Sequence, residues 1–88
     1  MEGDRNLRLT DREIAQAFSD PDQAVRYPPI LTLAQAAELA QVPLGTLRDW
    51  RSRGLLRGCA RKAGRHVRVF RDRFVKTLFN IGIPGSHE

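Results

Sequence analysis

The stretch Thr32-Leu33-Ala34-Gln35-Ala36-Ala37-Glu38-Leu39-Ala40 restricts this chain more than any other. Thr32 and Gln35 occupy the two positions of a reciprocal capping box, which starts a helix at residue 33. Leu33, Ala36, Ala37 and Ala40 then fall at i, i+3, i+4 and i+7, a single buried stripe made mostly of methyl groups. Small side chains of that kind let a second helix cross closely, and the sequence supplies one at once. Gln41-Val42-Pro43 breaks the first helix near residue 40, and the next is expected over about 44–53, with Gly54 terminating it. Leu47, Trp50 and Gly54 share one face of this second helix at spacings of three and four.

Facing those three residues inward fixes what points outward. At about 100° per residue the opposite arc holds Gly45, Arg48, Asp49 and Ser52, flanked by Thr46 and Arg53. Ala36, Ala37, Ala40, Val42, Leu47 and Trp50 stand at the offsets that let two short helices cross at about 90–120° around a tight turn. That arrangement is a helix-turn-helix. Arg48 has the geometry to pair bidentately with guanine or to hold a phosphate; Asp49 accepts from cytosine or orients Arg48 or Arg53. Gly45 lets the backbone approach a ligand closely.

The period changes after Gly54. Val67 and Val69 alternate with His66 and Arg68, as in a half-buried strand. Gly58-Cys59-Ala60-Arg61 is the expected partner strand and Lys62-Ala63-Gly64-Arg65 the turn. Arg61, Lys62, Arg65, His66 and Arg68 gather around that turn, with Val67, Val69 and Phe70 expected to bury the other face. A closing helix is expected over about 72–79, with Asp72 at its start, Phe74, Val75, Leu78 and Phe79 inward, and Asn80 and Gly82 stopping it. Ahead of the core stretch, Thr10 and Glu13 form another capping box, and Leu9 and Ile14 sit at hydrophobic-staple positions. The helix they start, roughly 11–18, presents Ile14, Ala17 and Phe18; Asp20-Pro21 opens a short second helix that Pro28-Pro29 ends. The expected organisation is a helical extension over 1–29, a DNA-binding domain over 30–80 and a tail over 81–88. The fold class is mainly α with a small β-hairpin.

Charge is concentrated. Residues 55–80 hold Arg57, Arg61, Lys62, Arg65, Arg68, Arg71, Arg73 and Lys76 against the single acid Asp72, a net +7 in a chain of +5. Residues 1–27 carry six acids and four bases. A basic segment of this density favours a polyanionic partner. The lone Cys59 cannot form an internal disulfide, and two distant histidines cannot complete a zinc site with it, so no metal or cofactor is expected. Cys59 reads as a small buried apolar residue. The polar N-terminus and the lack of a run of about 18 apolar residues point to a cytoplasmic protein with no membrane partner. Paired carboxylates, a nucleophile-base pair and a glycine-rich phosphate loop are all missing, so an enzyme is not expected.

From Leu31 to Phe79 the chain resembles the excisionase-like helix-turn-helix module, related to the MerR-type winged helix. Thr46-Leu47-Arg48-Asp49-Trp50-Arg51-Ser52-Arg53-Gly54-Leu55-Leu56 is similar to the MerR recognition segment, and Gly64-Arg65-His66-Val67-Arg68-Val69 to the wing motif of both groups. The resemblance implies that the helix around Thr46 to Arg53 enters a major groove, with Arg48 near DNA. It implies that the wing tracks the adjacent minor groove or backbone. Three positions depart from the pattern: Gln41 replaces a turn glycine, Pro43 replaces a Ser or Thr cap, and Arg51 stands where the excisionase pattern is often apolar.

MerR regulators dimerise and sense ligands through a longer C-terminal helix, so no small-molecule ligand is expected here. The implied partners are double-stranded DNA and, beyond it, a recombinase or neighbouring copies of the same chain, in a bacterial or phage setting. The implied roles are a recombination directionality or architectural factor, or a small transcription regulator. The residues leave open the DNA-binding arm of a viral packaging complex, and an RNA-binding or ribosome-associated basic protein. Against the RNA reading stand Trp50 and the four phenylalanines, which fall mostly at core positions rather than exposed for base stacking.

Overall fold

The computed structural model describes the backbone of residues 8–81. Of the expected tail over 81–88, Ile81 instead closes the last helical segment, and the residues from Gly82 onward lie outside the described ones. Helix α1 spans Asp11–Ala17 and starts at the predicted box: Thr10 Oγ1 accepts from the Glu13 amide at 3.1 Å, and Glu13 Oε1 accepts from the Thr10 amide at 2.9 Å. It buries Ile14, followed by Phe18 one turn on. Ala17, expected inward, is exposed, because a seven-residue helix buries only a narrow i, i+4 line and Ala17 falls on its flank. Helix α2, Pro21–Arg26, opens on its proline, but the Asp20 side chain makes no capping bond.

Strand β1, Ile30–Thr32, leads directly into α3, Leu33–Ala40, whose Thr32/Gln35 box forms on both sides at 3.0 and 2.9 Å. Ala36 and Ala37 are buried; Leu33 and Ala40 border them half-buried. Gln41 then turns the chain with φ 60° and ψ 44°, the left-handed conformation. Its amide donates to Glu38 O at 3.1 Å and that of Val42 to Ala37 O at 3.0 Å, satisfying carbonyls that the helix end exposes. Helix α4, Leu44–Ser52, follows, with Pro43 as an N-cap that offers no side-chain bond; the proline leaves the start where the spacing placed it. Gly54, at φ 82°, repeats the closing motif: its amide donates to Arg51 O and that of Leu55 to Trp50 O, both at 3.0 Å. Both helices of the pair therefore stop in one hydrogen-bond pattern, once on glycine and once on glutamine.

Strands β2, Ala60–Ala63, and β3, His66–Phe70, form the hairpin around a two-residue Gly64-Arg65 loop. Gly64 holds the positive φ, 64°, that the first central residue of such a loop needs. The partner strand thus begins two residues later than expected, and Gly58 and Cys59 precede it in the turn. The hairpin is also not alone. Strand β1 pairs with β3, giving a three-stranded antiparallel sheet in the order β1-β3-β2. Leu31, Val69 and Ala60 stand in one row across it, on the face that meets the helices.

Helix α5, Arg71–Lys76, buries Phe74 and Val75 and widens into a π-helical segment at Thr77–Ile81. Leu78 is half-buried, but Phe79, expected inward, is exposed. The wider turn explains this: more than 3.6 residues per turn rotates position 79 off the 3.6-residue stripe. One core joins the elements, built from Ile14, Phe18, Leu31, Ala36, Leu47, Leu56, Val69, Phe74 and their neighbours. The whole is a winged helix-turn-helix, mainly helical with a small antiparallel sheet.

One charged group is inside. Arg71, 8 % exposed, donates from Nη1 to the Tyr27 carbonyl at 2.8 Å and lies over the Phe18 ring at 4.1 Å. Its Nε donates to the exposed Asp72 at 2.9 Å, and its amide to Pro29 O at 2.9 Å. The N-terminal helices are thereby tied to the winged unit by a buried guanidinium. Arg26–Glu38 and Lys76–Asp11 ion pairs add to the same seam at the surface. Glu38 raises the Arg26 pKa through its hydrogen bond and its charge.

Candidate nucleic-acid interface

Burying Leu47 against the alanine stripe turns the opposite face of α4 to solvent. Gly45, Arg48, Asp49, Ser52 and Arg53 are all exposed, and Thr46 is half-buried, its amide donating to Pro43 O at 3.0 Å. A Cβ at Gly45 would meet nothing within 4 Å, so that end of the helix is open. Asp49 pairs with Arg53 one turn on, at 3.3 Å, both about half exposed; it orients Arg53 rather than Arg48. Ser52 donates its hydroxyl to Asp49 O at 2.9 Å, which spends its donor inside the helix and leaves its lone pairs facing out. Among the described residues, Arg48 has no acidic partner.

The hairpin faces divide differently from the expectation. Arg61 stands directly opposite Arg68, and Ala63 opposite His66, on the sheet face turned away from the core. Lys62 falls on the other face beside Val67, but extends past the core and is exposed. Phe70 does not join the valines: alternation puts it on the arginine face opposite Ile30, and it is 40 % exposed. Arg68 is half-buried, its Nη1 donating to Val67 O at 3.0 Å. Arg65 and His66 are exposed at the loop. Like charges directly opposite on neighbouring strands destabilise a sheet. The Arg61–Arg68 pair is therefore a local cost that an anion on that face removes.

Two further arginines belong to this region and were absent from the sequence-based set. Arg51 and Arg57 join Arg53, Arg61 and Lys62 around a cleft of about 350 Å³ between the end of α4 and the start of β2. Arg51 falls four residues after the buried Leu47, so periodicity turned it toward the inward side of α4, whereas it is exposed. Arg57 lies in a connection whose path only the Gly54 turn determines. The signal available was its place in the basic run over 55–80.

Cys59 is buried, as expected, and its thiol pKa is raised by burial, with Thr77 and Arg73 opposing in part. Among the described residues there is no grouping of His, Cys, Asp and Glu suited to a metal ion, and no helix long and apolar enough to cross a membrane.

Comparison with known proteins agrees with this geometry. A family model described as a helix-turn-helix domain matches residues 30–76, more than half of the chain. The chain belongs to that family, the excisionase-like helix-turn-helix DNA-binding domains. The match runs from the first residue of β1 to the last of α5, so it takes in the sheet as well as both crossing helices. No curated protein and no solved structure matches the chain.

Proposed function

We propose that the protein is a sequence-specific double-stranded DNA-binding accessory factor, acting as an excisionase-like recombination or architectural factor or a small transcription regulator. Helix α4 enters the major groove. Gly45 and Thr46 bring the backbone close, Arg48 reads a base edge, and Asp49 holds Arg53 toward a phosphate while Ser52 accepts from the DNA edge. The wing, through Arg61, Lys62, Arg65, His66 and Arg68, follows the neighbouring minor groove and backbone. The observation that carries this reading is the exposed α4 face with an acid-free Arg48, set beside a strand pair that holds Arg61 against Arg68.

Residues 30–80 form the DNA-binding unit and 1–29 its helical extension, of which the described residues 8–29 pack on it. Few side chains on α4 are free to read bases, so specificity comes from several adjacent copies or from a recombinase partner. Five neutralised phosphates give a slope of log affinity against log salt near −4.5.

A gel shift on duplex DNA from the flanking genomic region, against single-stranded RNA, tests the proposal. Duplex binding should dominate, and a folded Arg48→Ala variant should lose discrimination between sequences. Equal or tighter RNA binding overturns the proposal. Footprinting then counts adjacent copies, and a bending assay separates the architectural role from simple repression.

A further inference from the structure

The cleft between α4 and β2 gathers five cations, of which Arg53 alone has an acidic partner, Asp49, and among the described residues no acidic one lines the cleft itself. One of its guanidiniums, that of Arg61, is held by backbone carbonyls rather than by a carboxylate. Arg61 Nη1 donates to Arg57 O at 2.9 Å and to Ala60 O at 3.2 Å. Arg57 lies against Gly54: a Cβ there would stand 2.9 Å from its Nη2. Gly54 supplies the positive φ that ends α4, and its lack of a Cβ leaves the exposed Arg57 side chain free to lie over it at the cleft. An arginine ordered by a carboxylate is already neutralised. One ordered by carbonyls, as Arg61 is, keeps its charge available to an anion, which suits a planar fork meant for phosphate oxygens.

From this we infer that the cleft is a preformed seat for backbone phosphates of the one DNA strand that passes between α4 and the wing. The inference rests on the DNA-binding reading above and assigns Arg51 and Arg57 to the interface. The position supports it. A strand running from the groove occupied by α4 to the groove followed by the hairpin crosses the segment joining them, and that segment is Arg53 to Cys59. Phosphates seated there fix the register of the helix and carry no sequence information. Arg51 and Arg57 thus contribute affinity, while discrimination stays with Arg48.

The test measures the salt dependence of binding to a mixed-sequence duplex for the full chain, Arg57→Gln, Arg51→Gln/Arg57→Gln and Arg12→Gln. Arg12 is exposed on α1, away from the cleft, and its loss changes net charge as much as the loss of Arg57. Each phosphate left without its arginine should reduce the slope by about 0.9. If the wild-type slope is about −4.5, raising salt from about 50 to 200 mM weakens wild-type binding on the order of 500-fold and the double variant only about 40-fold. Arg12→Gln should match wild type, and circular dichroism should show all variants folded. Arg51 is exposed, so the single Arg51→Gln keeps the test open if Arg57→Gln unfolds the chain. Equal slopes for wild type and the cleft variants, or an equal change from Arg12→Gln, overturn the inference while leaving duplex binding intact. A wild-type chain that fails to bind duplex overturns both.

Discussion

Arg71→Met isolates the buried guanidinium while keeping the aliphatic stem. Arg71 is 8 % exposed, and its charged bond to the Tyr27 carbonyl is 2.8 Å long. Hydrogen bonds to charged groups contribute about 1.5–3 kcal/mol, and the orphaned carbonyl keeps its desolvation cost. Stacking over Phe18 at 4.1 Å adds about 1 kcal/mol in this sheltered position. The Asp72 carboxylate is more than half exposed, so that pair contributes only a few tenths of a kcal/mol. Opposing these, methionine removes the cost of keeping a cation out of water. The net expected loss is about 2–3 kcal/mol. A domain of this size loses about 4–8 °C of Tm per kcal/mol, so the midpoint should fall by roughly 10–20 °C. Urea unfolding followed by circular dichroism gives the free energy and thermal scans the midpoint. Arg71→Lys, which keeps the charge but not the fork, should lie between. A loss under about 0.5 kcal/mol for Arg71→Met would show that the buried guanidinium does not hold the N-terminal helices to the sheet.

Gln41→Gly should stabilise the protein. A left-handed non-glycine residue costs about 1–2 kcal/mol, and glycine returns some of that through a freer unfolded chain, leaving a gain of about 0.5–1 kcal/mol; denaturant titration with unchanged or lower stability refutes it. Arg48→Ala should leave stability within about 0.5 kcal/mol and reduce discrimination between target and scrambled duplex by about 1–3 kcal/mol, read by competition gel shift. Cys59 should react with a thiol reagent only as fast as the protein opens; labelling of the folded protein at mildly alkaline pH as fast as in denaturant is the contrary result. The same thiol gives a pH dependence. Its folded pKa is raised, so the unfolded chain loses its proton first as pH climbs. Stability from this group is complete below the unfolded thiol pKa and drains away through the alkaline range, an effect Cys59→Ala should abolish in stability-against-pH curves.

The helices were legible because their starts and stops are chemical. Two capping boxes, the alanine stripe and Gly54 act within four residues of sequence, so local reading placed α1, α3 and α4 almost to the residue. Strand β1 was not legible: Ile30-Leu31-Thr32 is too short to alternate, and it is a strand only because β3 is beside it. Arg71 looked like one more member of a basic run; its burial depends on Tyr27 and Phe18, more than forty residues away. Phe70 and Phe79 failed for related reasons, one placed by strand pairing on the outer face and one rotated by the π-helical turn. In the candidate interface, α4 supplied its outward residues by periodicity alone. Arg57 needed the path of the chain after Gly54, which no period encodes.

Strand β3 has two clients. One edge carries β2 and with it the basic loop; the other carries β1, whose last residue caps α3. The distance from the helix pair to the hairpin tip is thus set by a ladder of backbone bonds and not by a tether. In the binding mode proposed above, such a unit acts as a rigid gauge: it admits duplexes whose groove-to-groove spacing matches its own and leaves the others to deform or to dissociate.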